Sequence, residues 1–217
     1  MTEDDTHRLA ELGQRAAELV HQVRQPLFAI RGFVQLAEGD PAAAAAHLAQ
    51  ARAQLDVLES LVNGWAEMSR APGPTDVFFD LRAPIDGALV LLQHRARTLG
   101  VDLQVHTGRG RLVRGSPQAL QQAVVNLGQN ALDVLQGRPG GALSIRVHDA
   151  DVVIDDNGPG LAPEVLARLF QPFVTTRSDG TGLGLSVARA MVTRCGGVLV
   201  LERASPGVCW RISGLSG

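Results

Sequence analysis

Three short stretches of this chain carry residue types that could do chemistry together. Asp156 opens DNGPGL, LFQPFVTT follows at 169–176, and Gly180, Gly182 and Gly184 stand in GTGLGL. Gly158 and Gly160 permit a tight backbone turn, and the Asp156 carboxylate at its mouth can accept a hydrogen bond from an amino group. The later glycines lead into an apolar run, Leu183 to Val192, that reads as a helix. A glycine turn opening a helix leaves backbone N–H groups pointing at an anion. Base near Asp156 and phosphates near Gly182 describe a nucleotide. Upstream, Asn126 and Asn130 are four apart on an expected helix, so both amides share a face. An asparagine carbonyl oxygen is a hard ligand of the kind Mg²⁺ takes alongside substrate phosphates.

Taken singly, each glycine cluster reads more readily as a turn than as a site, and the asparagine pair reads as readily as a solvated face. Order and spacing together favour a site. It is not a lysine-dependent phosphate loop, because all 20 basic residues are arginine and that loop needs a lysine. A net charge of −2 gives no electrostatic reason to expect nucleic acid or a membrane surface. No apolar run reaches the length of a membrane span, and the N-terminus, MTEDDTHRLAE, lacks the basic and then apolar pattern of a signal peptide. A cytoplasmic location is expected. Cys195 and Cys209 lack metal-ligand spacing and read as two reduced, partly buried thiols.

The elements that must position these residues fall in two halves. From about Thr6 to Leu36, apolar residues recur at steps of three and four, predicting one long amphipathic helix. Gly39-Asp40-Pro41 stops it and starts another, with Asp40 as N-cap and Pro41 at the first helical position, running to about Ser69. Two helices in a hairpin cannot cover both apolar stripes, so a second copy completing a four-helix bundle is expected. Residues 71–75, APGPT, break the pattern. Strands are then predicted at 77–79, 102–107, 112–114, 142–148 and 151–155, with a final hairpin of 198–202 and 208–213. Helices are predicted at 83–99, from Pro117 to about Gln136 with Ser116 as cap, and at 163–169. The fold class is α+β: an antiparallel helical hairpin over 1–71, a linker over 72–76, and an α/β sandwich over 77–217 with helices on one face of a mixed sheet.

NLGQNALDVL, DNGPGL, LFQPFVTT and GTGLGLSVARAMV, in that order, resemble the N, G1, F and G2 boxes of the histidine protein kinases of two-component systems. LVHQVRQPLFAIRGF resembles their H box. The resemblance covers almost the whole chain and implies a Bergerat ATP-binding fold behind a dimerising hairpin. It implies ATP and Mg²⁺ as cofactors, with Asn130 as principal metal ligand and Asn126 in the same pocket. Asp156 would take the adenine amino group, and Gly158 and Gly160 would give the base room. Phe170 and Phe173 would anchor a short lid containing Thr175, Thr176 and Arg177. Gly180, Thr181, Gly182, Leu183 and Gly184 would wrap the triphosphate. His21 would be the phosphoacceptor, with Pro26 loosening its helix. The phosphoryl group would pass to an aspartate of a separate response-regulator receiver domain. The hairpin begins within the first ten residues, so input would come from a longer protein or a separate sensor protein.

Three positions depart from the family pattern: Arg177 stands where lysine is frequent, Gln25 where Asn or Thr often supports phosphatase action, and Gln22 bears on autophosphorylation itself. Where an acid usually follows the histidine, this chain has Gln22, which can orient a ring N–H but cannot act as a base. That leaves a second reading, a histidine phosphotransfer and docking module with little autokinase activity. A third, a serine kinase of the anti-sigma type, resembles only the second half of the chain and leaves His21 unexplained.

Overall fold

A repeated apolar stripe and few helix breakers carry the first part of the chain through two helices, α1 (residues 23–39) and α2 (Ala44–Ser69). The structure, a computed structural model, describes residues 20, 23–69, 77–108, 111–171, 174–175 and 182–215. It divides into two units, Met1–Trp65 and Ala66–Gly217. In the first, α1 passes through Pro26, which is buried. The turn between the helices is held by Asp40: its N–H donates to Leu36 O at 3.0 Å, and its Oδ1 accepts from the N–H groups of Ala42 and Ala43 at 3.0 and 3.3 Å. Regular helix begins at Ala44 and not at Pro41, because residues 41–43 form a turn closed on Asp40. The start of α1 and the linker at 72–76 lie outside the described residues.

The second unit begins with β1 (Val77–Asp80), which pairs antiparallel with β3 (Leu112–Gly115) as a separate two-stranded ribbon. The main sheet has the order β2-β4-β5-β7-β6. Its strands are β2 (Asp102–Thr107), β4 (Ala142–His148), β5 (Asp151–Asp156), β6 (Val198–Arg203) and β7 (Cys209–Ser213). Only β2 and β4 run parallel. Period-two alternation sorts the side chains between two faces. One row across the sheet joins Ile145, Ile154, Trp210 and Leu201, and a second joins Val147, Val152, Ile212 and Leu199. These rows are mostly buried and pack beneath α3 (Arg82–Leu99), α4 (Pro117–Leu135) and α6 (Gly184–Arg194). The opposite face is laced by ion pairs, Arg146–Asp155 at 3.3 Å and Arg211–Asp151 at 2.9 Å, as a solvated face should be.

Helix α4 is the spine of this unit. Ser116 caps it, its Oγ accepting from Ala119 N–H at 3.3 Å, and Pro117 takes the first turn where no N–H is needed. Gly128, inside the helix, would cost about 1 kcal/mol relative to alanine. Its reason is packing: a β-carbon there would stand 2.5 Å from Leu92 Cδ1 of α3. Helix α5 is a single turn, Pro163–Leu166, after which the chain turns loosely through Phe170 rather than staying helical to Leu169. The remaining elements of the second unit match the sequence reading to within two residues, while α1 runs to residue 39, three beyond the expected Leu36. Among the described residues no helix is long and apolar enough to cross a membrane.

Candidate functional site

Strand β5 delivers Asp156 at its end, 6% exposed. Its Oδ1 accepts from Gly158 N–H at 2.8 Å and from Val208 N–H at 3.3 Å, while its own N–H donates to Val208 O at 2.9 Å. Both side-chain bonds fall on one oxygen, which leaves Oδ2 to accept from an incoming amino group. Burial pushes the carboxyl above the ordinary range, against the pull of the Gly158 and Val208 N–H groups; neighbouring Asp155 pushes the same way and Arg203 opposes it.

The glycines here are spatial requirements. A β-carbon on Gly158 would stand 2.7 Å from Asp156 Oδ1 and 3.2 Å from Val134 Cγ2. On Gly160 it would stand 2.5 Å from Ala204 O, so this glycine makes way for the turn between β6 and β7. Asn157 is a staple of the loop, accepting from Ala142 N–H and donating to Gly140 O, both at 2.8 Å.

The other end of the site is built where α6 meets α4. Gly182 has φ +64°, a left-handed conformation that favours glycine, and it turns the chain into α6. That helix has no side-chain cap, unlike α4. Ser186 Oγ donates to Leu183 O at 2.9 Å and so is not spent on the first-turn N–H groups. A β-carbon on Gly184 would lie 2.7 Å from Asn130 Oδ1, so the backbone opening α6 rests against the Asn130 amide. Asn126, one turn earlier, accepts from Gln122 Nε2 at 3.1 Å.

Asn130 and Val134 are four residues apart on one face of α4, roughly 6 Å along its axis. Val134 touches the Gly158 loop and Asn130 touches α6. One helix face thus spans both glycine clusters, with a recessed carboxylate at one end and an uncapped helix start with a hard oxygen donor at the other. Of the expected site residues, the structure sets Gly158 against Asp156 and Gly184 against Asn130.

Between the clusters, Phe170 is held from two sides. Its ring lies 5.9 Å from that of Trp210, centroid to centroid, and the Arg189 guanidinium sits 4.7 Å over it. Thr175 is described and exposed. His21 and Gln22, and Phe173, Thr176, Arg177, Gly180 and Thr181, lie outside the described residues. Both thiols are buried and pushed up to about 11 by that burial, Cys195 accordingly donating to Ser116 O. Neither is a nucleophile at neutral pH.

Sequence reasoning passed over Val134, Arg189, Trp210, and the turn residues Arg203, Gly207 and Val208 that close on Asp156. The only local signal was Pro206-Gly207 between two strands.

Residues 115–213 match the family model described as histidine kinase-, DNA gyrase B-, and HSP90-like ATPase, and residues 11–74 match the His Kinase A (phospho-acceptor) domain. C4-dicarboxylate transport sensor protein DctB of Rhizobium meliloti is 30% identical, over 95% of this chain and 35% of its own length. Sensor histidine kinase ZraS of Klebsiella oxytoca is 33% identical, over 92% of this chain and 45% of its own. The chain therefore spans less than half the length of these relatives. Among solved structures, histidine kinase ThkA in complex with response regulator protein TrrA is 25% identical, with a TM-score of 0.74 over 95% of this chain and 62% of that one. The separate catalytic domain of ThkA is 28% identical, with a TM-score of 0.55 over 63% of this chain and 94% of that one.

Proposed function

The chain belongs to the two-component histidine kinases, with a phosphoacceptor domain and an ATPase domain, and we propose that it phosphorylates its own His21 from MgATP and passes the group to a response regulator. Residues 1–71 would be the dimerising phosphoacceptor hairpin and 77–217 the catalytic domain, joined by 72–76. The observation that carries this reading is the single face of α4 on which Val134 meets the Asp156 loop and Asn130 meets the start of α6.

Asp156 Oδ2 would accept the adenine amino group, while the first-turn N–H groups of α6 would receive phosphate oxygens. The Asn130 carboxamide oxygen fits a hard divalent cation and would hold Mg²⁺. When bound, that ion supplies charge neutralisation on the phosphates. Thr175, Thr176, Arg177, Gly180, Thr181 and Leu183 would complete the phosphate cover, with Arg177 offering its planar fork to phosphate oxygens. A neutral His21 imidazole nitrogen forms a bond to the γ-phosphorus as the bond to the bridging oxygen of ADP breaks, and the ring proton leaves to solvent. The subsequent acceptor is an aspartate carboxylate of a receiver domain, a reading supported by the complex of the relative ThkA with its response regulator.

Homodimerisation through the hairpin is supported by Leu27, Phe28, Leu36, Leu48, Leu55 and Val62, all large, apolar and exposed in the single chain. ATP supply places the reaction in the cytoplasm, and input reaches the hairpin from elsewhere in a longer protein or from a separate sensor.

The test is incubation with γ-labelled ATP and Mg²⁺ of the wild type, His21→Ala and Asn130→Ala. Acid-labile, alkali-stable label in the wild type alone is the expected result. Label persisting in His21→Ala would overturn the assignment of the acceptor. ATP binding without label would turn attention to Gln22, and Gln22→Glu should then restore labelling; failure to restore it would favour the phosphotransfer module.

A further inference from the structure

The turn between β6 and β7 does more than close the sheet. Leu201 pairs with Trp210 and Arg203 with Cys209, so Glu202 is an extra residue and the strand bulges there. A bulge of this kind re-aims a side chain. It brings Arg203 level with Cys209 and, one strand further, with Asp155. Arg203 Nη2 donates to Asp155 Oδ1 and, at 3.1 Å, to the backbone oxygen of Asp156. Gly207 keeps this route open: a β-carbon there would stand 2.0 Å from Asp156 O and 3.1 Å from Arg203 Nη2.

The arrangement holds the Asp156 main chain and sets two guanidinium groups on neighbouring Asp155. Asp155 and Asp156 are adjacent acids, and two ionised carboxylates side by side favour a proton on one of them. Asp155 is offset by two guanidinium groups, Arg203 on Oδ1 and Arg146 on Oδ2 at 3.3 Å. Arg203 thus opposes the upward push that burial and Asp155 exert on the Asp156 carboxyl. If it took a proton, its second oxygen would become a donor and would oppose an amino group.

We propose that Arg203 is a positioning residue for the base-recognising carboxylate, holding the Asp156 main chain and offsetting Asp155 so that the site selects a purine bearing an exocyclic amino group. This rests on the reading of Asp156 as the acceptor for the base. Nothing in the turn's sequence other than its length and Pro-Gly signals such a role.

The experiment is calorimetric titration of the full chain with ATP and with inosine triphosphate, which has a carbonyl in place of the amino group, both with Mg²⁺. The proteins are the wild type, Asp156→Asn, Arg203→Met and the double variant Arg203→Met/Asp155→Asn. Arg203→Met should lower the ratio of ATP to inosine triphosphate affinity, by weakening ATP with little change for inosine triphosphate. Removing Asp155 as well takes away the charge that Arg203 offsets and should restore part of the preference, the remainder being the lost bond to the Asp156 main chain. Equal weakening of both nucleotides, or no restoration in the double variant, would overturn the inference. Preference lost in Asp156→Asn but intact in Arg203→Met would sink the Arg203 role alone. Preference intact in Asp156→Asn would sink the base-site reading beneath it.

Discussion

Gly184 opens α6 directly against the side-chain amide of Asn130, so close that a β-carbon would lie 2.7 Å from Oδ1 and 2.8 Å from Nδ2. The helix start is packed against the amide with no room for a side chain between them. Gly184→Ala should displace Asn130 at a cost of about 1–3 kcal/mol, lowering MgATP affinity about tenfold or more. Titration calorimetry measures this directly. Unchanged affinity would separate Asn130 from the phosphate end of the site.

Asp156 predicts a pH signature in the nucleotide-free chain. Burial raises its folded-state pKa above 3.8. Between 3.8 and the raised value the folded chain binds more protons than the unfolded one at this residue, so its contribution to stability falls as pH rises through that window. Asp156→Asn keeps an oxygen for the Gly158 and Val208 N–H groups and removes the charge. The variant should therefore match or exceed the wild type in stability at neutral pH, converge with it in acid, and lose ATP binding. Chemical denaturation at several pH values checks the first two points. A variant markedly less stable at neutral pH would contradict the account.

Gly207→Ala should destabilise the chain more than an ordinary glycine-to-alanine change. Its φ is +68° and the added carbon would meet Asp156 O at 2.0 Å. Strain and overpacking together amount to about 2–4 kcal/mol, read as a lowered urea midpoint. A loss below about 0.5 kcal/mol, within the range of an ordinary surface change, would show that the turn can slide away from Asp156.

Arg189 and Phe170 should be energetically coupled. A guanidinium over an aromatic ring contributes about 0.5–1 kcal/mol at an exposed site, and the double-mutant cycle of Arg189→Gln with Phe170→Leu should return that value. Trp210, in contact with Phe170, gives the fluorescence signal for the unfolding curves. Zero coupling would mean that the Phe170 ring is held by Trp210 alone.

What could be read from the sequence is what depends on local chemistry. Ser116-Pro117 announces a helix start, alternation in Leu143 to Val147 announces a strand, and Asn126 and Asn130 fall on one face by spacing alone. Asp156, Gly158 and Gly184 could be named because their residue types are unusual for their neighbourhoods. The partners of these residues could not be named. Val134 is one more apolar residue on α4 until it meets Gly158, and Arg203 is one of 20 arginines until a bulge turns it toward Asp155. The end of α5 was missed for a similar reason: the pattern through Leu169 suits a helix, but Phe170 is drawn instead to Trp210 and Arg189. Contacts between elements distant in sequence decided each of these.

The position of β7 between β5 and β6 has a consequence for biosynthesis. Strand β5, which carries Asp156, leaves the ribosome more than fifty residues before Cys209, yet its second edge is satisfied only by β7. Until then β5 has an open edge, the kind of surface that recruits other chains. The Val208 N–H that helps fix Asp156 is missing as well. At a translation rate of about 5–20 residues per second, a nascent chain passes several seconds with β5 in place and the Asp156 carboxylate held by the Gly158 N–H without its second partner. A ligand that needs the finished Asp156 loop cannot template the early folding of this unit, and the exposed flank of β5 is the surface at risk during that interval.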